Sequence, residues 1–163
     1  MPTVIPSTEA AKLREMTTHC ACLNARKAAR LLSQLYDAAL RPVGVRSTQL
    51  PLLATLGLRG PLTLSELADA VVIDRTTLTR SLLPLEQHGW VRSTPGDDLR
   101  MREISLTPRG REVLRRAIPL WQQAQTRVMT SLGGDLADRI VTDFAATVEV
   151  MKELQQPVPE HDD

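Results

Sequence analysis

The chain has 163 residues, 42% of them apolar and 24% charged, enough for one folded domain with an extension and unlike disordered or collagen-like chains. No charge-free stretch exceeds the 12 residues Ser47 to Leu58, short of the roughly 18 a membrane span needs, so no membrane partner is expected. The net charge of +1 hides an asymmetry: residues 1–60 carry 8 Lys and Arg against 3 Asp and Glu, and residues 117–163 carry 3 against 8, so a basic part could face a polyanion.

Four aromatic residues, Tyr36, Trp90, Trp121 and Phe144, are too few for the stacking platforms that bind single-stranded nucleic acid. The first residues lack the basic and apolar regions of a secretory signal, which makes the cytoplasm the expected compartment.

In chain order, residues 9–41 have no internal Pro or Gly and place Leu23, Leu31, Leu35 and Ala39 at helical spacing, which predicts one long helix ending before Pro42. A second helix is expected from about Ser47 to Leu58, with Pro51 tolerated in its first turn and Gly60-Pro61 closing it. Thr63-Leu-Ser-Glu66 has the spacing of a capping box and starts a short helix to about Ala70. Asp74 caps the next helix, which runs to about Gln87 with Leu78, Leu82 and Leu85 on one face. Pro84 removes a backbone donor and should bend it.

Trp90 to Thr94 and Glu103 to Thr107 are short β-compatible runs, and Pro95-Gly96-Asp97-Asp98 supplies the turn chemistry of a hairpin with a charged tip. Thr107-Pro108 opens a helix to Leu132, striped by Val113, Ala117, Trp121, Ala124, Val128 and Leu132. After Gly133-Gly134 a last helix, Asp135 to about Gln155, repeats the pattern at Leu136, Ile140, Phe144, Val148 and Met151.

Short helix, turn, helix and two-stranded wing make a mainly α fold, a winged helix-turn-helix. The long first and last helices cannot bury their stripes on so small a unit, so dimerisation through them is expected. The expected division is an N-terminal dimerisation helix (1–45), the winged helix-turn-helix (46–107), C-terminal dimerisation helices (108–156) and a tail (157–163).

On the helix after Asp74, Thr76, Arg80 and Gln87 lie opposite the leucines, with Arg75, Thr77 and Thr79 on the flanks. Hydroxyls and guanidiniums on the second helix of a helix-turn-helix are suited to phosphate oxygens and to base edges in the major groove of duplex DNA. The bland alternative is an ordinary solvated face. At the hairpin tip, Asp98, Arg100 and Arg102 fit a wing in which one arginine enters a narrow minor groove while an aspartate fixes the geometry of another. Here the alternative is an exposed loop ion pair worth little.

The stretches "LSELADAVVIDRTTLTRSLLPLEQHGWV" and "DLRMREISLTPRG" resemble the MarR family of bacterial transcriptional regulators, and the resemblance extends over nearly the whole chain. Family members carry an Asp-x-Arg wing and a following strand ending Leu-Thr-x-x-Gly, matched here by Asp98, Arg100, Leu106, Thr107 and Gly110. The resemblance implies a homodimer on a near-palindromic operator, usually a repressor, released by a small phenolic or other ligand or by thiol oxidation. A small aromatic or carboxylic effector is the trigger expected first.

Cys20 and Cys22 are the redox candidates. On one continuous helix they point about 200° apart, so a disulfide between them would require unwinding. Hydroperoxide sensors of the family carry a reactive cysteine and a tyrosine fourteen residues later, matched by Cys22 and Tyr36, but their second tyrosine is Ser47 here. Buried structural cysteines are the alternative. His19 and Cys22 share a helix face, but two ligands make no zinc site, and no metal or cofactor is expected. The chain has no Gly-x-Gly-x-x-Gly, Walker lysine loop, His-Glu-x-x-His or Gly-x-Ser-x-Gly, so no catalytic residues are named and no enzyme is expected. A winged-helix module binding protein instead of DNA is a further alternative.

Overall fold

The computed structural model describes residues 6–95 and 102–155. They form two compact units, divided between Trp121 and Gln122 inside a long helix.

The first unit opens with α1 (Ser7–His19) and α2 (Ala21–Leu40), where the sequence pattern predicts one helix. The chain breaks at Cys20, which is extended at φ −66° and ψ 115°. No Gly or Pro marks this break. Thr17 and Thr18 donate their hydroxyls back to the carbonyls of Leu13 and Arg14 at 3.0 and 2.8 Å, a competition that weakens helices. The carbonyls released at the break find side chains on α2: Asn24 donates to Thr18 at 2.9 Å and Lys27 to Thr17 at 3.5 Å.

A 3₁₀ turn (Arg41–Val43) ends at Gly44 with φ 72°, and α3 (Leu50–Arg59) follows. It starts three residues later than its pattern predicts, because Ser47 to Gln49 form a turn. There the Gln49 side chain accepts the Arg46 amide at 3.0 Å and Asp37 accepts the Ser47 amide at 2.6 Å.

A strand of two residues, β1 (Leu62–Thr63), leads into α4 (Leu64–Val71). The expected capping box is present: Thr63 Oγ1 accepts the Glu66 amide at 3.3 Å, and the Glu66 carboxylate accepts the Thr63 amide at 2.8 Å. The Thr63 amide first, then the Thr63 hydroxyl, which donates to the same carboxylate oxygen at 2.7 Å, hold the Glu66 carboxyl below its ordinary range. The turn of the helix-turn-helix is made by Val72, the one non-glycine at positive φ (57°) among the described residues. Its amide and that of Ile73 close on carbonyls of the last turn of α4.

Next come α5 (Arg75–Gln87), β2 (Val91–Pro95) and β3 (Arg102–Leu106). The hairpin strands pair antiparallel from Val91 with Leu106 to Pro95 with Arg102. Unannounced by the sequence, β1 adds to the other edge of β3 through Leu62–Ile104 and Thr63–Glu103, giving a sheet ordered β1-β3-β2. Leu52, Leu53 and Leu56 of α3, Leu67 of α4, Leu78, Leu82 and Leu85 of α5, Trp90, Ile104 and Leu106 form one buried core.

The helix α6 (Pro108–Leu132), whose residues to Trp121 belong to this unit, is docked through its first turn. Thr107 Oγ1 donates to the Gly89 carbonyl at 2.6 Å and accepts the Gly110 amide at 3.0 Å. Gly110 is buried so close to the sheet that a Cβ there would stand 1.9 Å from the Trp90 carbonyl oxygen. In the second unit, α7 (Gly134–Gln155) leaves Leu136, Phe144, Val148 and Met151 between 40% and 50% exposed, so the predicted apolar stripe of this helix faces outward in the single chain.

Candidate nucleic-acid interface

The helix-turn-helix is built so that α5 shows solvent a hydroxyl- and guanidinium-bearing face. Asp74 sits extended at its N-cap. One carboxylate oxygen accepts the Thr77 amide at 2.9 Å and the other the Thr77 hydroxyl at 2.5 Å. The hydroxyl first, then the amide, hold the Asp74 carboxyl below the usual carboxylate range. With Leu78, Leu82 and Leu85 buried, Arg75, Thr76, Thr77, Thr79 and Arg80 are all exposed, as the helical spacing predicts.

These five side chains are not equally free. Thr77 spends its proton on Asp74, and Thr79 donates to the Arg75 carbonyl at 2.8 Å. Both therefore present an acceptor oxygen and a methyl group. Arg75 donates through Nη2 to the Ser65 hydroxyl of α4, which steers its guanidinium across the turn. Thr76 and Arg80 make no hydrogen bond to the described residues and keep their whole donor complement for a ligand.

The wing is carried on the β2–β3 hairpin, which follows α5 in the chain. Asp98 and Arg100 lie outside the described residues. Arg102 opens β3, and its guanidinium is occupied: Nε donates to the Ser93 hydroxyl at 2.8 Å and Nη2 to the Ser93 carbonyl at 3.1 Å. Ser65 and Ser93 thus belong to the site although no motif marks them, since each meets its arginine only through the fold.

Cys20 and Cys22 are both free thiols and both exposed, so the burial expected of structural cysteines does not hold in the single chain. The single-helix geometry expected of them does not hold, since Cys20 lies in the extended break and Cys22 in the first turn of α2.

Elsewhere in the first unit, Tyr36, Leu40, Ser47, Leu50, Pro51 and Trp121 line a cavity of about 180 Å³. It adjoins a second, apolar one of about 370 Å³ that shares Leu50, Pro51 and Trp121. The Ser47 hydroxyl is buried without a hydrogen-bond partner among the described residues. Burial raises the Tyr36 phenol above its ordinary pKa.

A short helix, a tight turn, a capped second helix and a three-stranded wing define a winged helix-turn-helix protein. The MarR family model matches residues 45–101, from the turn before α3 to the wing. The Mycobacterium tuberculosis transcriptional regulator MosR, solved in complex with DNA, is 41% identical, with 84% of this chain and 99% of that one covered and a TM-score of 0.76. The chain belongs to the MarR family of transcriptional regulators.

The uncharacterized HTH-type transcriptional regulator YwoH of Bacillus subtilis is 33% identical over 81 residues, 50% of this chain. The chain spans 59% of the length of that relative. The repressor CouR, solved on a 23-mer DNA duplex, has the same fold at a TM-score of 0.73 and 23% identity, with 82% of this chain and 95% of CouR covered.

Proposed function

We propose that this protein is a transcriptional regulator that binds duplex DNA as a homodimer, with no catalytic activity of its own, in the cytoplasm. The observation that carries the reading is the exposed face of α5, where Arg75, Thr76, Thr77, Thr79 and Arg80 stand opposite the buried leucines. Each α5 enters a major groove, and two half-sites of a near-palindromic operator lie about 34 Å apart, one helical turn. Arg100 is the minor-groove candidate, with Asp98 fixing its neighbours and Arg102 setting the base of the wing. The second copy covers the outward stripe of α7, so the proposed division keeps residues 1–45 and 108–156 for dimerisation around a DNA-binding part at 46–107.

An electrophoretic shift with duplex from upstream of the protein's own gene, against random duplex, is the test. Wild type should prefer the former and lose affinity steeply with salt. Arg80→Ala should remove most of that preference, a loss of about 1–3 kcal/mol on the specific duplex. Equal losses on both duplexes would contradict the role given to Arg80.

The regulator is read as a repressor released by a small aromatic or carboxylic effector. Supporting this, the cavity at Tyr36 and Trp121 offers an unpartnered Ser47 hydroxyl among apolar walls. A second reading, release by oxidation, is favoured by the extended break at Cys20, which frees that thiol from the helical geometry of Cys22. A hydroperoxide would take two electrons from the thiol pair, leaving a disulfide, an alcohol and water. A Cys20→Ser/Cys22→Ser protein that binds DNA but is no longer released by peroxide, where wild type is, selects the thiol reading.

A further inference from the structure

Three leucines lie close together in the C-terminal half of α5, and they do not share one environment. Leu82 is 5% exposed and Leu85 fully buried, whereas Leu83 between them is 52% exposed. At 100° per residue Leu83 falls within about 60° of Thr76, Arg80 and Gln87, all exposed, and about 100–160° from the three buried leucines. Asp74 clamps the first turn through the Thr77 amide, and Leu78, Leu82 and Leu85 are held in the core, so α5 cannot roll to hide Leu83.

A lone exposed leucine is ordinary on a protein surface. This one stands in the row of hydroxyl, guanidinium and amide side chains on the outer face of α5. Leucine neither donates nor accepts a hydrogen bond, so it can do nothing for the ring nitrogens, carbonyls and amines that line a major groove. The apolar group that base pairs display there is the C5 methyl of thymine. Arg80, whose donors are free, is suited to guanine O6 and N7. Leu83 comes three residues later, about 4.5 Å along the helix axis, which is close to the step of about 3.4 Å from one base to the next.

We propose that Leu83 is a specificity-determining residue. It packs on the methyl group of a thymine at a base pair adjoining the one that Arg80 reads, and it adds a demand for thymine that the polar side chains of the face do not make. The inference rests on duplex DNA being the ligand of α5.

The test replaces the thymines of the duplex from upstream of the protein's own gene by deoxyuridine, one position at a time in each half-site. Uracil pairs with adenine as thymine does and lacks only the methyl. In electrophoretic shifts at fixed salt, wild type should lose about fourfold in affinity at one such position, the worth of one buried methyl. Leu83→Ala should bind the thymine duplex about as weakly as wild type binds the uracil one, and should not distinguish the two. Leu83→Gln, a good helix former at an exposed position, should be equally indifferent. A wild type that prefers its own duplex but tolerates uracil at every position overturns the proposal. So does a uracil penalty that persists in both Leu83 variants, or one that Thr79→Ser abolishes, which would give the methyl contact to Thr79. A protein that shifts no duplex at all removes the DNA reading itself, and this inference with it.

Discussion

Arg102 on β3 holds Ser93 on β2 by two hydrogen bonds, one to the side chain at 2.8 Å and one to the backbone at 3.1 Å. The arginine is therefore a brace across the base of the wing. Truncating it in Arg102→Ala should cost about 1 kcal/mol, the scale of partly exposed hydrogen bonds. Hydrogen exchange should report it as faster exchange of β2 and β3 amides while α5 stays protected. DNA affinity should fall by a similar factor on specific and random duplex, since a loosened wing carries no base information.

Gly110→Ala should be strongly destabilising, although alanine is the better helix former by about 1 kcal/mol. The added Cβ would stand 1.9 Å from the Trp90 carbonyl oxygen, and backbone cannot step aside as a side-chain tip can. A loss of about 3 kcal/mol is expected in denaturant unfolding. A variant as stable as wild type would mean that α6 does not dock so closely on Trp90.

Val72→Gly should act in the opposite direction. A β-branched residue in the left-handed region costs about 1–2 kcal/mol, and glycine there gives back part of the relief through its freer unfolded chain. Since half of the Val72 surface is exposed, little packing is lost. A net gain of about 1 kcal/mol should appear as a higher denaturant midpoint at unchanged slope.

The acid limb of stability should depend on Asp74 and Glu66. Both have folded pKa values below their unfolded ones, so each stabilises fully above the ordinary carboxylate range of about 4. That contribution is lost as pH falls through the folded values. Thermal melts of Asp74→Asn should therefore show a flatter fall below pH about 4 than wild type, with near-equal melting at pH 7 because asparagine also caps. A steeper acid fall in the variant would reverse the sign argued here.

Where local chemistry decides an element, the sequence was a good guide. The Thr63–Glu66 box, the Asp74 cap, the Thr107-Pro108 start of α6 and the exposed five residues of α5 follow from spacing alone. Features made by distant partners were illegible. Strand β1 is two residues, too short for any period, and exists because β3 passes beside it. The break at Cys20 carries no Gly or Pro and depends on Asn24 and Lys27 reaching back from α2. Ser65 and Ser93 looked like any surface serine until the fold set Arg75 and Arg102 against them. Charge and composition likewise hid the division between arginines already tied down and those, such as Arg80, with donors to spare.

Thr63 belongs to two structures at once: it is the last residue of β1, in register with Glu103 of the wing, and the N-cap of α4. Load applied to the wing thus has a short mechanical route to the helix-turn-helix. It passes from β3 through the β1 ladder into the Thr63–Glu66 clasp, and across the turn by way of Ser65 to Arg75. Every link is a directional hydrogen bond, so each group in the route orients the next. The route ends at the first turn of α5, where Arg75 begins the face proposed to meet the bases.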